Sequence, residues 1–277
     1  MSAPSPRGLL DFAGRTVVIT GAASGMGAET TKLLIAAGAT IHTIDLAPVE
    51  APVAATHQCD LGDPSSIDVT VANLPGRIDA LMNCAGVPNG GRFTPEEVMG
   101  INWLGLRHLT EALLPRISAE GSVVHIASTA GRAWPERQTE MNELMAAESF
   151  DKGLAWVRSH SDVVGDGYQF SKEAVQYYTH WRSVQLLRRE IRMNSVCPGI
   201  TDTGIIADFR KGMGDDLIDH AEAVAGRLAR PGEMAPAMLF LADHASSSYL
   251  VGVNLNIDHG TAAARLSGQD NPTIIYG

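Results

Sequence analysis

The sequence has little cysteine, little aromatic content and few basic residues. Cys59, Cys84 and Cys197 are the three cysteines of 277 residues, and without Cys-x-x-Cys spacing they predict neither a disulfide framework nor a zinc site. We predict no metal site at all, because the nine histidines are scattered along the chain. Lysine and arginine number 21 against 31 aspartate and glutamate residues, a formal charge of −10. This balance argues against nucleic acid or an anionic membrane as the main partner.

Long uncharged stretches are also missing. No run of about 18 residues lacks a charged side chain, so a transmembrane helix is not expected. The opening segment MSAPSPRG has no apolar centre of the kind that a secretory signal has. With cysteines that suit a reducing compartment, these absences predict a cytoplasmic protein.

Short β-branched runs alternate with helical patterns through most of the chain. Strands are predicted at 16–20, 40–44, 78–83, 122–128, 193–196 and 255–257, and helices at 25–37, 64–73, 95–117, 169–189 and 233–243. Such alternation is typical of βαβ units. We therefore predict one α/β domain over residues 1–277, a Rossmann-like doubly wound parallel sheet, with residues 1–12 as a loose tail.

A glycine-rich turn, TGAASGMG at 20–27, follows the first predicted strand and opens a helix. Gly21 permits the tight turn, while Gly25 and Gly27 let the backbone approach a pyrophosphate closely. The helix N-terminus adds free N–H groups and partial positive charge. The spacing is GxxxGxG rather than the commoner GxGxxG, and a plain glycine-rich turn is the alternative. Its position after the first strand favours a dinucleotide site.

Asp45 ends the second predicted strand. A carboxylate there can accept hydrogen bonds from the ribose hydroxyls of NAD, and it repels the additional phosphate of NADP. Ser24 and Leu46 occupy the positions where a basic residue could hold that phosphate. We therefore predict NAD in preference to NADP; an aspartate that merely ends a strand is the alternative.

Tyr168 and Lys172 lie four residues apart, on one face of a predicted helix. A free tyrosine has a pKa of about 10, and a nearby ammonium and a positive nicotinamide ring are expected to lower it. The tyrosine could then take the proton of an alcohol as hydride leaves the carbon. Ser128 could hold the same oxygen. The pair alone is also compatible with an ordinary amphipathic helix.

These motifs, in this order, resemble the short-chain dehydrogenase/reductase family. They are joined by NCAG at 83–86, Asn102 within INWLG, Ser128 at the end of SVVHIAS, YQFSK at 168–172 and a Pro-Gly pair at 198–199. The resemblance runs from about Gly14 to Gly260. It implies an alcohol–carbonyl oxidoreductase that uses a nicotinamide dinucleotide.

The resemblance also implies a role for each matching residue. Tyr168 is then the catalytic acid/base, Lys172 its partner and a ribose ligand, Ser128 the group that bonds the substrate oxygen, and Asn102 the residue that organises a proton-relay water. Together with the glycine-rich turn it predicts these cofactor-binding residues: Gly21, Ser24, Gly25, Met26, Gly27, Asp45, Leu46, Asp60, Leu61, Asn83, Ala85, Gly86, Tyr168, Lys172, Pro198, Gly199, Ile200 and Thr203. Asn83, Ala85 and Gly86 would line the adenosine side and Asp60 the adenine edge. Residues 198–200 would lie beside the nicotinamide and Thr203 would bond its carboxamide.

The chain departs from the family pattern in three places. Phe170 replaces a small residue, Asp258-His259-Gly260 replaces Asp-Gly-Gly, and residues 129–167 greatly lengthen the connection between Ser128 and Tyr168. Two short helices are predicted in an insertion over 132–166. Such an insertion either walls the pocket or only alters oligomer contacts. It resembles a subgroup of bacterial 3α-hydroxysteroid dehydrogenase/carbonyl reductases and coniferyl-alcohol dehydrogenases, which implies a homodimer, with a tetramer as the alternative.

Residues 201–225 read as a glycine-hinged apolar lid, with a packed helical connection as the alternative. A lid and a flap of this kind predict an apolar pocket for a bulky secondary or aromatic/allylic alcohol or its ketone, such as a hydroxysteroid or a coniferyl-type alcohol. The C-terminal tail, 261–277, carries no catalytic signal. Two other functions stay open: reduction of other small ketones or of an acyl-carrier-bound ketone, and dinucleotide-binding regulation without catalysis.

Overall fold

A computed structural model of the chain describes residues 10–271, apart from the side chain of Met213. Seven parallel strands form one sheet in the order β3-β2-β1-β4-β5-β6-β7. The strands are β1 (Thr16–Thr20), β2 (Thr40–Asp45), β3 (Ala55–Gln58), β4 (Ile78–Asn83), β5 (Ile117–Ile126), β6 (Arg192–Pro198) and β7 (Asn254–Ile257). This arrangement confirms the predicted Rossmann-like α/β class.

Helices cover both faces of the sheet. They are α1 (Gly25–Ala36), α2 (Pro64–Ala72), α3 (Pro95–Met99), α4 (Leu106–Leu113), α5 (Gln138–Ala146), α6 (Phe150–Ser159), α7 (Ser161–Val164), α8 (Tyr168–Leu186), α9 (Ile206–Met213), α10 (Asp215–Ala225), α11 (Ala235–Ala242), α12 (His244–Ser247) and α13 (Thr261–Leu266). Four short 3-10 segments lie at Leu114–Arg116, Thr129–Arg137, Leu187–Arg189 and Pro231–Glu233, and a π-helical turn at Gly100–Gly105.

Alternate side chains of each central strand enter two separate apolar cores. Val18 belongs to one core with Leu109 and Tyr178, whereas Val17 belongs to the other with Met238. Because both faces are covered, a buried strand reads as a continuous apolar run, which explains why β1 is recognisable from TVVIT.

The order in which strands are added to the sheet reverses between β1 and β4. From β1 the chain passes outward to β2 and β3, then returns to pair β4 on the other side of β1. Parallel sheets leave a crevice at such a point, outside the carboxyl ends of the strands. The Thr20 hydroxyl oxygen accepts hydrogen bonds from the N–H groups of Cys84 and Ala85, each at 3.1 Å, and so joins the ends of both strands.

Two of the differences between the structure and the predicted elements have a clear physical reason. Strand β3 was not predicted, since ATHQ is an edge strand with alternating half-buried and exposed residues and no apolar run. The helix predicted over 95–117 is interrupted: α3 passes into the π-helical turn, α4 follows, and Ile117 already begins β5. Apolar periodicity continues through all these forms, so it could not distinguish them.

The predicted loose tail over 1–12 was placed too far along the chain. Phe12 is fully buried, its N–H donates to the Ala37 carbonyl at 3.0 Å, and the Arg15 guanidinium lies 5.2 Å from its ring centroid. Leu10 N–H also donates to Asp243 at 3.3 Å. Residues 1–9 lie outside the described residues. At the other end the tail predicted over 261–277 begins with α13, and residues 272–277 lie outside the description.

The insertion contains α5 and α6, followed by the single turn α7, and it packs on the helix that begins at Tyr168. Trp156 stacks on Phe170, with ring centroids 5.7 Å apart and an interplanar angle of 9°. The Arg137 guanidinium lies 5.7 Å from the same ring. Phe170, one of the departures noted in the sequence, is thus a point of contact between the insertion and α8.

We expect Phe170→Ala to lower the free energy of unfolding by about 3 to 5 kcal/mol, because it leaves a cavity beneath Trp156. Chemical denaturation measures this. Val69→Ala on α2 is the control, since that side chain is 66% exposed and its removal should change stability by less than about 0.5 kcal/mol. A loss for Phe170→Ala no larger than that of the control would contradict the anchoring role.

Candidate functional site

The glycine-rich turn lies at the carboxyl end of β1 and leaves no room for a side chain at Gly21 or Gly27. Gly21 has φ +70, and a Cβ there would lie 2.6 Å from the Ala85 nitrogen. A Cβ on Gly27 would lie 2.1 Å from the Gly21 carbonyl oxygen. At the start of α1, Ser24 makes no side-chain capping bond and the first turn has no acidic residue. The first N–H groups and the helix dipole therefore suit an anion such as a pyrophosphate.

Asp45 is the last residue of β2, and its side chain also stabilises the glycine-rich turn. Its carboxylate accepts hydrogen bonds from Ala23 N–H and Ala47 N–H, each at 2.9 Å. The neighbouring Leu46 side chain is 62% exposed. The alternative that Asp45 merely ends a strand is therefore incomplete, because the side chain also fixes the glycine-rich loop. Farther along the edge, Asp60 is exposed and accepts a 2.8 Å bond from Gly62 N–H.

Two predicted cofactor residues turn their side chains away from the crevice. Asn83 is buried, and its Nδ2 donates to Thr110 Oγ1 at 3.0 Å and meets His125 Nδ1 at 3.1 Å. Leu61 belongs to the apolar core beside Trp103. Both side chains stabilise the protein interior beneath the loop, and the cofactor-binding role of Asn83 and Leu61 stays a prediction.

Tyr168, Lys172 and Ser128 share one cavity. Tyr168 opens α8, and Lys172 follows one turn later with its Nζ 5.7 Å from the tyrosine ring centroid. Lys172 Nζ also donates to the Ile126 carbonyl at 3.2 Å, which ties it to the end of β5. Ser128 lies just beyond that strand end, and its hydroxyl accepts a bond from Ala130 N–H at 3.1 Å. The three predicted catalytic groups are thus brought together from β5 and α8.

Burial has the largest effect on the pKa values of Tyr168 and Lys172. It raises the pKa of Tyr168 to about 12, although a hydrogen bond with Ser128 acts in the opposite direction. Burial also lowers the pKa of Lys172 to about 8. The fall expected from the sequence for the Tyr168 pKa is therefore wrong for the protein alone, because desolvation of the phenolate outweighs the favourable contacts.

Asn102 lies in the π-helical turn between α3 and α4. Its Oδ1 accepts from Val87 N–H at 2.7 Å, and its Nδ2 donates to the Val87 carbonyl at 2.9 Å and to Ser171 Oγ at 3.3 Å. Gly86 lies against it, since a Cβ there would be 3.2 Å from Asn102 Oδ1 and 3.5 Å from Lys172 Nζ. The side chain therefore fixes the loop after β4 against α8. The sequence pattern gave no indication of the Val87 and Ser171 contacts.

The cavity has a volume of about 420 Å³. Several of the predicted cofactor-binding residues line this cavity. They include Met26, Pro198, Gly199, Ile200 and Thr203. Residues 201–225 form α9 and α10, and Phe209 places its ring 4.8 Å from that of Tyr168, edge to face at 74°. Ile205, Leu217 and Ile218 complete an apolar wall.

The lengthened connection over 129–167 contributes to this cavity only through its first residues. Thr129, Ala130 and Arg132 line the wall, whereas no residue of α5 or α6 does. Leu144 and Met145 pack into the apolar core instead. Among residues 10–271, no group of three histidine, cysteine or acidic side chains could hold a metal ion, and no helix is long and apolar enough to cross a membrane.

The glycine-rich turn lies where the strand order reverses, next to a tyrosine, a lysine and a serine. This combination defines a class of nicotinamide-dinucleotide oxidoreductases. The chain belongs to the short-chain dehydrogenase/reductase family. Residues 15–139 match the family model described as short chain dehydrogenase, and residues 154–262 match that described as Enoyl-(Acyl carrier protein) reductase.

Individual relatives agree with this assignment. The chain is 34% identical over 258 residues to a coniferyl-alcohol dehydrogenase of Pseudomonas sp. (strain HR199 / DSM 7063), covering 92% of this chain and 99% of that protein. It is 29% identical to the 3-alpha-hydroxysteroid dehydrogenase/carbonyl reductase of Comamonas testosteroni, covering 89% and 96%. The 3-alpha-hydroxysteroid dehydrogenase of Pseudomonas sp. B-0831, solved with NADH, superposes with a TM-score of 0.77 at 26% identity, covering 91% and 98%. These relatives confirm the subgroup resemblance.

Proposed function

We propose that the protein is an NAD-dependent oxidoreductase that interconverts a bulky apolar secondary or aromatic/allylic alcohol and its carbonyl compound. The observation that carries this proposal is the apolar wall built from α9 and α10 directly over Tyr168, with Phe209 in contact with the tyrosine ring. Such a wall favours an apolar substrate with a single reactive oxygen. The names of the coniferyl-alcohol and hydroxysteroid relatives support the same substrate class.

The nicotinamide, when bound, supplies the carbon that accepts or returns hydride. The chain's own residues handle the oxygen and its proton. Ser128 holds the alcohol oxygen by a hydrogen bond, and Tyr168 removes its proton during oxidation or returns one during reduction. The Lys172 ammonium stabilises the phenolate form of Tyr168, which accepts the alcohol proton in oxidation and is left after proton donation in reduction. Phe209 and the rest of the wall exclude water from the reacting atoms.

The residues around the crevice favour NAD over NADP. Asp45 presents a carboxylate at the end of β2, where the ribose of the adenosine half is expected. Its neighbour Leu46 is exposed and uncharged, and Ser24 carries no positive charge either. A 2′-phosphate would meet a negative charge there without a compensating cation.

The experiment that tests the function follows NADH absorbance with purified protein, NAD or NADP, and a panel of hydroxysteroids, aromatic alcohols and small aliphatic alcohols. The proposal expects turnover with NAD and a bulky alcohol. Turnover of small aliphatic alcohols alone would refute the substrate class. Tight NADH binding without turnover of any alcohol or of the matching ketones would favour the non-catalytic regulator.

Asp45→Asn is expected to weaken the preference for NAD over NADP. The amide keeps one acceptor oxygen for the backbone N–H groups but loses the charge that repels a 2′-phosphate. The ratio of kcat/KM with NAD to that with NADP should fall by about tenfold or more, mainly through a lower KM for NADP. Asp63→Asn provides a control, because Asp63 is the N-cap of α2. An unchanged ratio would contradict the proposed role of Asp45.

We further propose a cytoplasmic homodimer. All three cysteines are free thiols, which suits a reducing compartment. Tyr249, just before β7, is fully exposed and Leu266 of α13 is 88% exposed, which supports an interface formed by the C-terminal helix and the last strand. Light scattering of the purified protein tests this: a monomer at micromolar concentration would refute it.

A further inference from the structure

Three arginines line the cavity that contains Tyr168, and two of them, Arg132 and Arg265, form no ion pair within residues 10–271. Arg132 lies in the 3-10 segment that follows Ser128, and Arg265 lies in α13. Both side chains are exposed, whereas Tyr168 is buried. The cavity therefore extends from a buried reacting group to a solvent-facing end that carries two positive charges.

Neither guanidinium forms an ion pair with another residue of the described range, 10–271. Within the described part of the chain, the ion pairs of the cavity wall involve other residues: Arg227 with Glu233 at 2.7 Å, and Glu222 with Arg210 at 3.8 Å. Arg132 makes one long hydrogen bond, 3.4 Å to the carbonyl of its neighbour Thr129.

The remaining carboxylates of the cavity wall do not neutralise the arginines either. Asp258 accepts bonds from Gly260, Thr261 and Ala262, and Asp270 forms no ion pair with the other residues that the structure describes. The two arginines also repel each other: burial and the charge of Arg265 both lower the pKa of Arg132, although Glu173 and Glu136 oppose this. In a chain with a formal charge of −10, two adjacent unpaired arginines at a cavity constitute an anion site.

The backbone near both arginines is fixed by elements of the active site. Gly131 packs against the catalytic helix so closely that a Cβ there would lie 2.5 Å from the Lys172 carbonyl oxygen. Helix α13, which carries Arg265, packs against α10 of the lid. Both arginines are thus attached to the walls between which a substrate would lie.

The cofactor phosphates do not account for this pair. The glycine-rich turn and Asp45 follow β1 and β2, whereas Arg132 follows β5 and Arg265 follows β7. In the sheet order these strands lie on opposite sides of β4. The arginines are therefore on the substrate side of Tyr168.

We infer that the substrate carries a carboxylate at the end remote from the reacting carbinol, and that Arg132 and Arg265 bind it together. The inference rests on the proposed function and refines its substrate class, from a bulky apolar alcohol to an amphipathic hydroxy acid. The planar guanidinium groups match the geometry of a carboxylate, which can accept two parallel N–H bonds from one arginine. The apolar wall then holds the hydrocarbon body between the two polar ends.

The test uses a 3-hydroxysteroid with a side-chain carboxylate and the methyl ester of the same compound, each with NAD. The wild type is expected to oxidise the acid with a kcat/KM about tenfold or more above that of the ester. R132Q and R265Q should each raise the KM for the acid by about tenfold and leave the ester within about twofold, and the double variant should make both substrates equal. Higher ionic strength should reduce the preference for the acid, since the site is open to solvent.

Arg188→Gln is the matched control, because Arg188 is exposed and lies in the 3-10 segment at Leu187–Arg189, outside the cavity wall. It makes the same change of net charge and should leave the acid-to-ester ratio unchanged. Equal kcat/KM for acid and ester in the wild type, or an equal response of both substrates to R132Q and R265Q, overturns the inference while leaving the proposed function intact. Failure to oxidise these steroids and every neutral alcohol of the panel overturns both.

Discussion

Tyr168→Phe is expected to lower kcat by about a thousandfold, because the phenyl ring fills the same space but offers no hydroxyl to exchange a proton with the substrate oxygen. The substitution should not disturb the fold: the ring packs edge to face against Phe209, and that contact needs no oxygen. Steady-state kinetics with the best alcohol of the panel measures the loss.

NADH binding separates a chemical defect from a structural one. Fluorescence titration should give the variant a Kd for NADH within about threefold of the wild type, because the glycine-rich turn and Asp45 lie on other elements. Tyr177→Phe makes the same substitution on the same helix, where the hydroxyl donates to Asn142 rather than facing the cavity. This control should keep its activity. Near-wild-type turnover of Tyr168→Phe would refute the catalytic assignment.

Lys172→Met is expected to abolish most activity and yet to stabilise the protein. Burial lowers the pKa of Lys172 from 10.5 to about 8, so the folded state carries a destabilised ammonium at neutral pH. Each pKa unit corresponds to about 1.4 kcal/mol, and the lost bond to the Ile126 carbonyl costs about 1 kcal/mol. The free energy of unfolding should therefore rise by about 2 kcal/mol at pH 7.

The pH dependence of this gain has a definite sign. Below pH 8 both folded and unfolded wild type hold the lysine proton, and the full penalty is present. Between the folded pKa of about 8 and the unfolded value of 10.5, the unfolded state binds more protons, so wild-type stability rises with pH. The advantage of Lys172→Met should therefore shrink towards pH 10.

Denaturation at pH 7 and pH 9.5 tests this, with Lys152→Met as the control. Lys152 is an exposed residue paired with Glu148 at 3.2 Å, and its removal should have little effect at either pH. A Lys172→Met variant that is less stable than the wild type at pH 7 would contradict the prediction, because burial would then not destabilise the Lys172 ammonium.

The sequence was most informative where one local feature determines the structure. The run TVVIT predicts β1 because a strand buried on both faces needs continuous apolar residues. Gly21 and Gly27 indicate the crevice, because neighbouring backbone atoms leave no space for a Cβ at either position. Tyr168 and Lys172 meet because helical spacing alone brings them to one face.

Other features depend on partners that are distant in sequence. The direction of the Asn83 side chain is set by Thr110 and His125, on α4 and β5, and no motif around Asn83 contains that information. The pKa of Tyr168 depends on how completely its surroundings bury it, and Phe209 enters that environment from a separate helix. The arginine pair likewise becomes visible only when α13 is placed beside the segment after β5.

The stacking of Trp156 on Phe170 has a consequence for protein engineering. The inserted segment is not an interchangeable module, because its removal would expose Phe170, two residues after Tyr168. A chimera that shortens residues 129–167 to the length usual in the family needs a small residue at position 170 in the same step. Conversely, transplanting the segment into a shorter relative requires an aromatic acceptor on the recipient helix. Segment and aromatic acceptor should therefore be exchanged together, because separating them exposes a ring that is buried in this structure.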